Sequence, residues 1–273
     1  MNNKPELVKL IDTTLCTACR GCQVACKQWN EMPGLRTRQR GTYQNPEDLQ
    51  WNTWTLIRFQ EYEAKDGKFQ WIFRKDGCMH CTDAACVKVC PSGALHYTPL
   101  KTVGLDRNKC IGCKECVAAC PFHIPRYNAS TDKVYKCDLC YTRLTEGLPP
   151  ACVKSCPTGA LTIGEKNKMI KKAYARVKQL GGDANVYGDK FVDGTHVVYV
   201  LQFKPEVYDE LPVKPSVPLS VVIWKDLLKP LSLLGAGGVV AGSFVHYMLH
   251  GPKAPPPEGT NGGSEAGKSE GGE

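Results

Sequence analysis

No glycine-rich nucleotide loop, no recognisable Ser/His/Asp arrangement and no apolar run in the first fifteen positions occur in this 273-residue chain. The first two absences remove the common phosphate-binding and acyl-transfer chemistries. The third predicts no cleaved secretory leader and argues against a secreted disulfide framework. Charged residues make up 23% and hydrophobic residues 42%, which is ordinary for a globular chain and too apolar for a disordered one. The length leaves room for one large domain or two to three small ones. What stands out is cysteine. There are sixteen, all in four tight groups, so no thiol is left over as a nucleophile.

The groups are Cys16-x2-Cys19-x2-Cys22-x3-Cys26, Cys78-x2-Cys81-x4-Cys86-x3-Cys90-Pro91, Cys110-x2-Cys113-x2-Cys116-x3-Cys120-Pro121 and Cys137-x2-Cys140-x11-Cys152-x3-Cys156-Pro157. The C-x2-C-x2-C-x3-C-P run is the bacterial ferredoxin signature, in which three thiolates hold one [4Fe-4S] cluster and the fourth reaches its neighbour. Two intervening residues let the backbone wrap a cubane. The x3 step begins a helix that carries the fourth thiol away, and the proline stops that helix. Cys90-Pro91-Ser92-Gly93-Ala94-Leu95 and Cys156-Pro157-Thr158-Gly159-Ala160-Leu161 are near copies, a sign of internal repetition.

Zinc ribbons also use C-x2-C pairs but rarely add further thiols at x2 and x3 before a proline. A Rieske reading on Cys78-x-His80 and Cys120-x2-His123 strips thiols from two complete motifs. His80, His96 and His123 are therefore read as hydrogen-bonding or packing residues.

Motifs two and three lie nineteen residues apart and form one ferredoxin-like pair. By the crossed rule, Cys78, Cys81, Cys86 and Cys120 hold one cluster, and Cys110, Cys113, Cys116 and Cys90 the next. Motifs one and four then pair across the chain: Cys16, Cys19, Cys22 and Cys156 hold a third cluster, and Cys137, Cys140, Cys152 and Cys26 the fourth. The expected fold is α+β, with two ferredoxin-like 2×[4Fe-4S] domains, one inserted in the other. Residues 1–70 and 131–215 make the outer domain and 71–130 the inserted one.

The formal net charge of +8 suggests at first a nucleic-acid surface. Four [4Fe-4S]2+ assemblies at about −2 each contribute about −8 and cancel it. Arg74, Lys75, Lys88, Arg107, Lys109, Lys114 and Arg126 lie near the thiols in sequence and are read as counter-charge, with no nucleic-acid partner.

Outside the motifs, Trp54–Phe59 and Phe69–Phe73 alternate and are joined by Lys65-Asp66-Gly67-Lys68, which predicts a hairpin packed beside the inserted domain. Residues 166–180 predict a basic amphipathic helix with Met169, Ile170, Ala173, Val177 and Leu180 on one face, ended by Gly181-Gly182. A strand is expected over Thr195–Phe203. Leu231–Leu249 carries no Asp, Glu, Lys or Arg over nineteen residues. As a helix it is about 28 Å long, close to the bilayer core. It is expected as a single membrane anchor within 216–252, with Gly238-x3-Gly242 open to a partner helix. His246 is expected at a cap or interface, and 253–273 as a disordered tail. Lysines flank the segment on both sides, so charge alone does not orient it.

Four segments together resemble the iron–sulfur (beta) subunit of membrane-bound molybdenum- or tungsten-dependent formate dehydrogenases. They are Arg74-Lys75-Asp76-Gly77-Cys78-Met79-His80-Cys81, Cys120-Pro121-Phe122-His123-Ile124-Pro125-Arg126, Ala151-Cys152-Val153-Lys154-Ser155-Cys156-Pro157-Thr158-Gly159, and Trp224-Lys225-Asp226-Leu227-Leu228-Lys229-Pro230-Leu231. The resemblance runs from Leu10 to about Pro252. Cys16-Thr17-Ala18-Cys19 departs from it, with Thr-Ala for the more usual Ile-Gly. It implies an electron-transfer subunit without a catalytic site of its own, carrying four [4Fe-4S] clusters. It further implies a molybdopterin (Mo or W) catalytic partner, a cytochrome b membrane subunit delivering to the quinone pool, and a single-pass place in the inner membrane. The globular part is then periplasmic and exported folded beside a signal-bearing partner. The same cysteine motifs also serve membrane hydrogenases and other molybdopterin oxidoreductases. A zinc-stabilised binding module is the alternative of a different class.

Overall fold

Residues 6–64, 67–223 and 228–251 are described by the computed structural model. The expected turn residues Lys65 and Asp66, the segment Trp224 to Leu227 and the tail 252–273 lie outside the described residues. The chain divides into two units, Met1–Lys225 and Asp226–Glu273.

Alternation along Leu7–Asp12 (β1) gives the first unit its frame. Val8 and Leu10 point to one side, where they meet Ala173. Ile11 points to the other, into the main core with Leu56, Ile57 and Tyr199. Gly21–Trp29 (α1) follows and carries the end of motif one. Thr55–Glu63 (β2) and Phe69–Gly77 (β3) form the expected hairpin, paired from Thr55↔Gly77 to Glu63↔Phe69. Its base is buried, and its outer part carries a cluster of rings in which Trp71 lies 4.8 Å from Tyr43 and 5.2 Å from Phe73. β2 also lies against α1, so the hairpin supports motif one as well.

Two short helices, Ala85–Lys88 (α2) and Glu115–Ala119 (α3), pack together in the middle of the chain. Between them the antiparallel pair Leu95–Tyr97 (β4) and Val103–Leu105 (β5) closes the inner module, and Arg126–Asn128 (β6) pairs with Lys133–Tyr135 (β7) after α3. Tyr141–Thr145 (α4) follows Cys140, Ala151–Lys154 (α5) carries Cys152 of motif four, and α5 packs on α1.

The chain then returns to its beginning. Leu161–Glu165 (β8) pairs antiparallel with β1, Asn185–Tyr187 (β9) lies at the far edge, and Val197–Leu201 (β10) runs parallel to β1. The sheet order is β8-β1-β10-β9, so residues from both ends of the unit build one sheet around the middle of the sequence. This is the nested arrangement, one dicluster module inserted in the other. Lys166–Leu180 (α6) covers the outer face of the sheet with Ala173, Met169, Val177 and Leu180 against Val8, Val198 and Val200. Covered on both sides, β10 is buried throughout. Full burial of such valines is worth about 1.5–3 kcal/mol each. Gly181 ends α6 at φ +65°, a left-handed cap whose N–H donates to the Val177 carbonyl. Leu219–Val222 (α7) sets Val221 against Ala85 and Ala119.

In the second unit, Lys229–His250 (α8) is a 22-residue helix with Pro230 in its first turn. Pro230–His250 is long and apolar enough to cross a membrane, and the described side chains from Leu231 to His250 are exposed. His246 and His250 stack one turn apart at 4.3 Å between ring centres.

Candidate functional site

Each C-x2-C loop makes the same backbone manoeuvre. The residue before the second thiol is left-handed in all four: Ala18 (φ +55°), His80 (+50°), Gly112 (+70°) and Leu139 (+60°). Such a turn aims consecutive N–H groups into a concavity, a nest suited to an anion. In motifs one and three the next residue after the second thiol, Arg20 and Lys114, is also left-handed and starts α1 and α3. The helix then carries the third thiol. In motifs two, three and four the fourth thiol lies just past α2, α3 and α5, where the proline that follows it forbids continuation. Motif one has no such proline, and α1 runs on to Trp29.

These devices gather the thiols into four cages. Cys16, Cys19 and Cys22 share an enclosed cavity with Cys156 from motif four. Cys110, Cys113 and Cys116 share another with Cys90 from motif two. Cys81 faces Cys78, Cys86 and Cys120. Cys26 faces Cys137 and Cys152, both of which also face Cys140. The helix pairs explain the exchange: Cys22 and Cys26 lie one turn apart on α1 and look into different cages, and Cys152 on α5 and Cys156 just past its end do the same. The α2–α3 pair repeats the arrangement with Cys86, Cys90, Cys116 and Cys120.

The cages stand in a row. Cys22 faces Cys152 of the next cage, Cys137 faces Cys78 of the third, and Cys86 faces Cys116 of the fourth. Cys19 at one end and Cys113 at the other are exposed, whereas Cys26, Cys137, Cys140 and Cys152 inside the row are buried.

Burial holds these thiols protonated when no metal displaces the proton. It pushes Cys22 up to about 11 and Cys26 to about 12, with Cys152 and Cys137 respectively adding to the rise. Cys116 and Cys140 are likewise raised to about 12 by burial and by neighbouring thiols. Four such groups facing one cavity are unfavourable as isolated thiolates and suited to a cationic iron core that takes up their charge. A single zinc ion holds its sulfurs within about 3.8 Å of each other. Among the described residues no group of three or more His, Cys, Asp or Glu converges in that way. The donor set fits [4Fe-4S] clusters.

Three lysines accompany the cages. Lys75 is buried in the wall of the first cavity and faces Cys152, Cys22 and Cys137. Lys136 is buried beside Cys86 and Cys120. Lys9, on the inner side of β1 with Ile11, is buried and faces Cys137. The counter-charge reading is corrected for the other six cations named from the sequence. Arg74 pairs with Asp76, Lys88 with Asp83, Lys109 with Asp106 and Arg126 with Asp48. Arg107 lies over the Tyr135 ring and Lys114 over that of Tyr127. Proximity in sequence places them near thiols, but their side chains reach carboxylates and rings. Lys9 and Lys136 were not picked out by sequence, although a lysine at an inward position of an apolar strand and one directly before Cys137 are both visible signals.

The histidines act as expected of local partners. His80 is fully buried, its Nδ1 accepting from Val103 N–H at 3.2 Å, and His96 Nδ1 lies 3.1 Å from the Ala94 carbonyl. His123 is exposed. Hydroxyls complete the cages: Ser92 Oγ stands 3.7 Å from Cys90 Sγ, and Thr158 Oγ1 the same distance from Cys156 Sγ.

Two family models described as "4Fe-4S dicluster domain" match residues 69–166 and 15–94, and one described as "Formate dehydrogenase N, transmembrane" matches 217–259. The chain is 44% identical over 259 residues to a protein of Haemophilus influenzae named formate dehydrogenase iron-sulfur subunit, covering 92% of this chain and 83% of that one. It is 46% identical over 256 residues to the nitrate-inducible formate dehydrogenase iron-sulfur subunit of Escherichia coli, covering 91% and 87%. A formate dehydrogenase subunit beta of Megalodesulfovibrio gigas is 37% identical over 218 residues, 74% of this chain and 97% of that one.

Proposed function

Since the chain belongs to the iron–sulfur subunits of formate dehydrogenase, we propose that it relays electrons from a formate-oxidising molybdopterin subunit to a membrane cytochrome b subunit and thence to quinone. The observation that carries this reading is the row of four cages, with Cys19 and Cys113 exposed at its two ends. Bound [4Fe-4S] clusters supply one-electron redox chemistry at each cage. The chain's part is to hold, space and bury them. Cys16, Cys19, Cys22 and Cys156 hold the first, and Cys26, Cys137, Cys140 and Cys152 the second. Cys78, Cys81, Cys86 and Cys120 hold the third, and Cys90, Cys110, Cys113 and Cys116 the last. Residues 71–130 form the inner module, with 1–70 and 131–215 around it. Residues 216–252 form the anchor.

α8 anchors the subunit in the membrane, and Gly238 and Gly242 give a partner helix room to approach. The globular unit lies on the periplasmic side of the inner membrane. No other group in the cages suggests substrate chemistry, which belongs to the partner.

The test is a pull-down of the tagged chain from detergent-solubilised membranes, with metals assayed in the product. About sixteen irons per chain, a molybdenum- or tungsten-bearing partner, a haem-bearing partner and formate-dependent dye reduction are expected. Iron at that level with nickel instead moves the chain to a hydrogenase. Zinc without iron rejects the relay altogether.

A further inference from the structure

Lys9, Lys75 and Lys136 are 1%, 3% and 2% exposed, and none of them pairs with a carboxylate among the described residues. An unpaired ammonium in a protein interior costs several kcal/mol, so something else in the interior must compensate it. For Lys136 part of the answer is two carbonyls: Nζ donates to Val103 O at 2.5 Å and to Cys137 O at 2.9 Å. Carbonyl dipoles solvate a cation without cancelling its charge. The other groups facing these lysines are the thiols of the cages, with Tyr199 beside Lys75 and the buried His80 facing all three.

Placement separates two of them from the third. Lys75 reaches in from β3 between the first and second cages, lining the cavity of Cys16, Cys19, Cys22 and Cys156 while facing Cys152 and Cys137 of the next. Lys136 precedes Cys137 of the second cage and faces Cys86 and Cys120 of the third. Two consecutive gaps in the row therefore each contain a fixed, buried positive charge. Between the third and fourth cages, where Cys86 faces Cys116, no further lysine of this kind lies among the described residues, and Lys136 approaches from the Cys86 side only.

We propose that Lys75 and Lys136 are positioning residues that set the reduction potentials of the cages they separate. The inference rests on the cages holding clusters. Taking up an electron makes a cluster more negative by one charge, and a cation fixed beside it stabilises the reduced form more than the oxidised form. Lys75 thus raises the potentials of the first and second clusters, and Lys136 those of the second and third. The fourth cluster, without such a neighbour, is left lower. In the low-dielectric interior a charge at this range is worth far more than in water. The sequence makes the placement possible because β3 brings Lys75 inward next to the ion-paired Arg74 and Asp76, three residues before Cys78.

The experiment is an EPR-monitored redox titration of the purified, detergent-solubilised complex containing this chain as wild type, Lys75→Met, Lys136→Met, Lys75→Arg and Lys136→Arg, with iron counted in each. In Lys75→Met the first and second clusters should become harder to reduce. At a fixed poise their reduced-to-oxidised ratio should fall about tenfold, which is about 59 mV for a one-electron couple. The fourth should not move. Lys136→Met should shift the second and third instead, and the Arg variants should stay close to wild type. Four clusters with unchanged potentials in both Met variants overturn the proposal. If one Met variant loses iron, the other decides. If both lose iron while the Arg variants keep it, the charge serves cluster retention rather than potential, and the proposal is overturned. Loss in the Met and Arg variants alike shows a packing role and overturns it. A wild-type complex without four clusters overturns the cluster reading, an outcome distinct from failure of the lysine assignment.

Discussion

Ala18 and Gly112 occupy the same position in two different thiol loops, both left-handed, at φ +55° and +70°. Their surroundings differ. A Cβ on Gly112 lies 2.2 Å from Asp132 Oδ1, so only glycine fits there. Ala18 meets no such obstacle but carries the left-handed penalty of about 1–2 kcal/mol for a residue with a side chain. Glycine's larger unfolded-state entropy costs about 0.4–1 kcal/mol. Ala18→Gly is therefore expected to stabilise the holoprotein by about 0.5–1 kcal/mol, and Gly112→Ala to destabilise it. Thermal loss of the cluster absorbance, followed in the assembled complex, reads both; a lower midpoint for Ala18→Gly contradicts the strain argument.

Ser92 and Thr158 come from the repeated Cys-Pro-Ser/Thr-Gly-Ala-Leu segments, and both place a hydroxyl 3.7 Å from the preceding cysteine sulfur. Toward a thiolate the hydroxyl is the donor, and donation to sulfur favours the reduced cluster. Ser92→Ala should lower the potential of the cluster held by Cys90, and Thr158→Val that of the cluster held by Cys156, each leaving the other unchanged. Redox titration of the two variants tests this. Identical shifts in all clusters point to a general structural change instead.

Arg58 is the centre of the ion-pair group beneath the hairpin. It donates to Asp76 at 2.7 Å and to the more exposed Asp48 and Glu210 at 2.7 and 2.8 Å. Arg58→Met leaves Asp76 buried with Arg74, 3.2 Å away, as its remaining ion-pair partner among the described residues, beside the Gly77 N–H that donates to it at 2.9 Å. Removing one side of a buried pair costs about 3–5 kcal/mol, whereas Asp48→Asn and Glu210→Gln should cost under about 1 kcal/mol because water reaches both. Denaturation midpoints of the three variants give the order directly.

Much of this arrangement is legible in the sequence, for physical reasons that differ by element. Thiol spacing is local and rigid, so the crossing of Cys90 and Cys120, and of Cys26 and Cys156, can be read from the ferredoxin rule. The hairpin showed in the alternation of Trp54–Phe59 and Phe69–Phe73, although hydrogen bonding extends its strands to Glu63 and Gly77. α2 and α5, at four residues each, are too short to leave a helical period. Long-range charge placement is the least legible. Lys88 and Lys109 are near cysteines in sequence yet reach Asp83 and Asp106, while Lys9, far from any thiol in motif four, is brought to Cys137 by the fold.

His196 makes stability depend on pH. Its side chain is fully buried, Nδ1–H donates to the His80 carbonyl at 2.7 Å, and Nε2 stands 3.0 Å from Glu6 Oε1 but off the hydrogen-bonding direction. Burial lowers its pKa, and Lys166 adds to this against the opposing pull of the His80 carbonyl and Glu6. The folded state thus favours the neutral ring, whereas the unfolded chain takes up a proton below about pH 6.5. Stability from this group is present above that value and is lost as pH falls toward the depressed folded value. The melting midpoint should drop between pH 7.5 and 5.5, and the drop should be smaller in His196→Gln. An equal drop in both assigns the slope to other groups.

Cys90 and Cys120 give opposite outcomes because they feed cages at different places in the row. Under the crossed ligation proposed above, Cys90→Ala removes the cluster of Cys110, Cys113 and Cys116, and Cys120→Ala the cluster of Cys78, Cys81 and Cys86. Each should lower iron from about sixteen to about twelve per chain. Losing the last cage leaves three neighbours still facing one another through Cys22 and Cys152 and through Cys137 and Cys78. Losing the third instead isolates the fourth from the rest, so its EPR signal should sharpen as magnetic coupling disappears. An isolated, uncoupled signal in Cys90→Ala rather than in Cys120→Ala reverses the assignment and returns each fourth cysteine to its own motif.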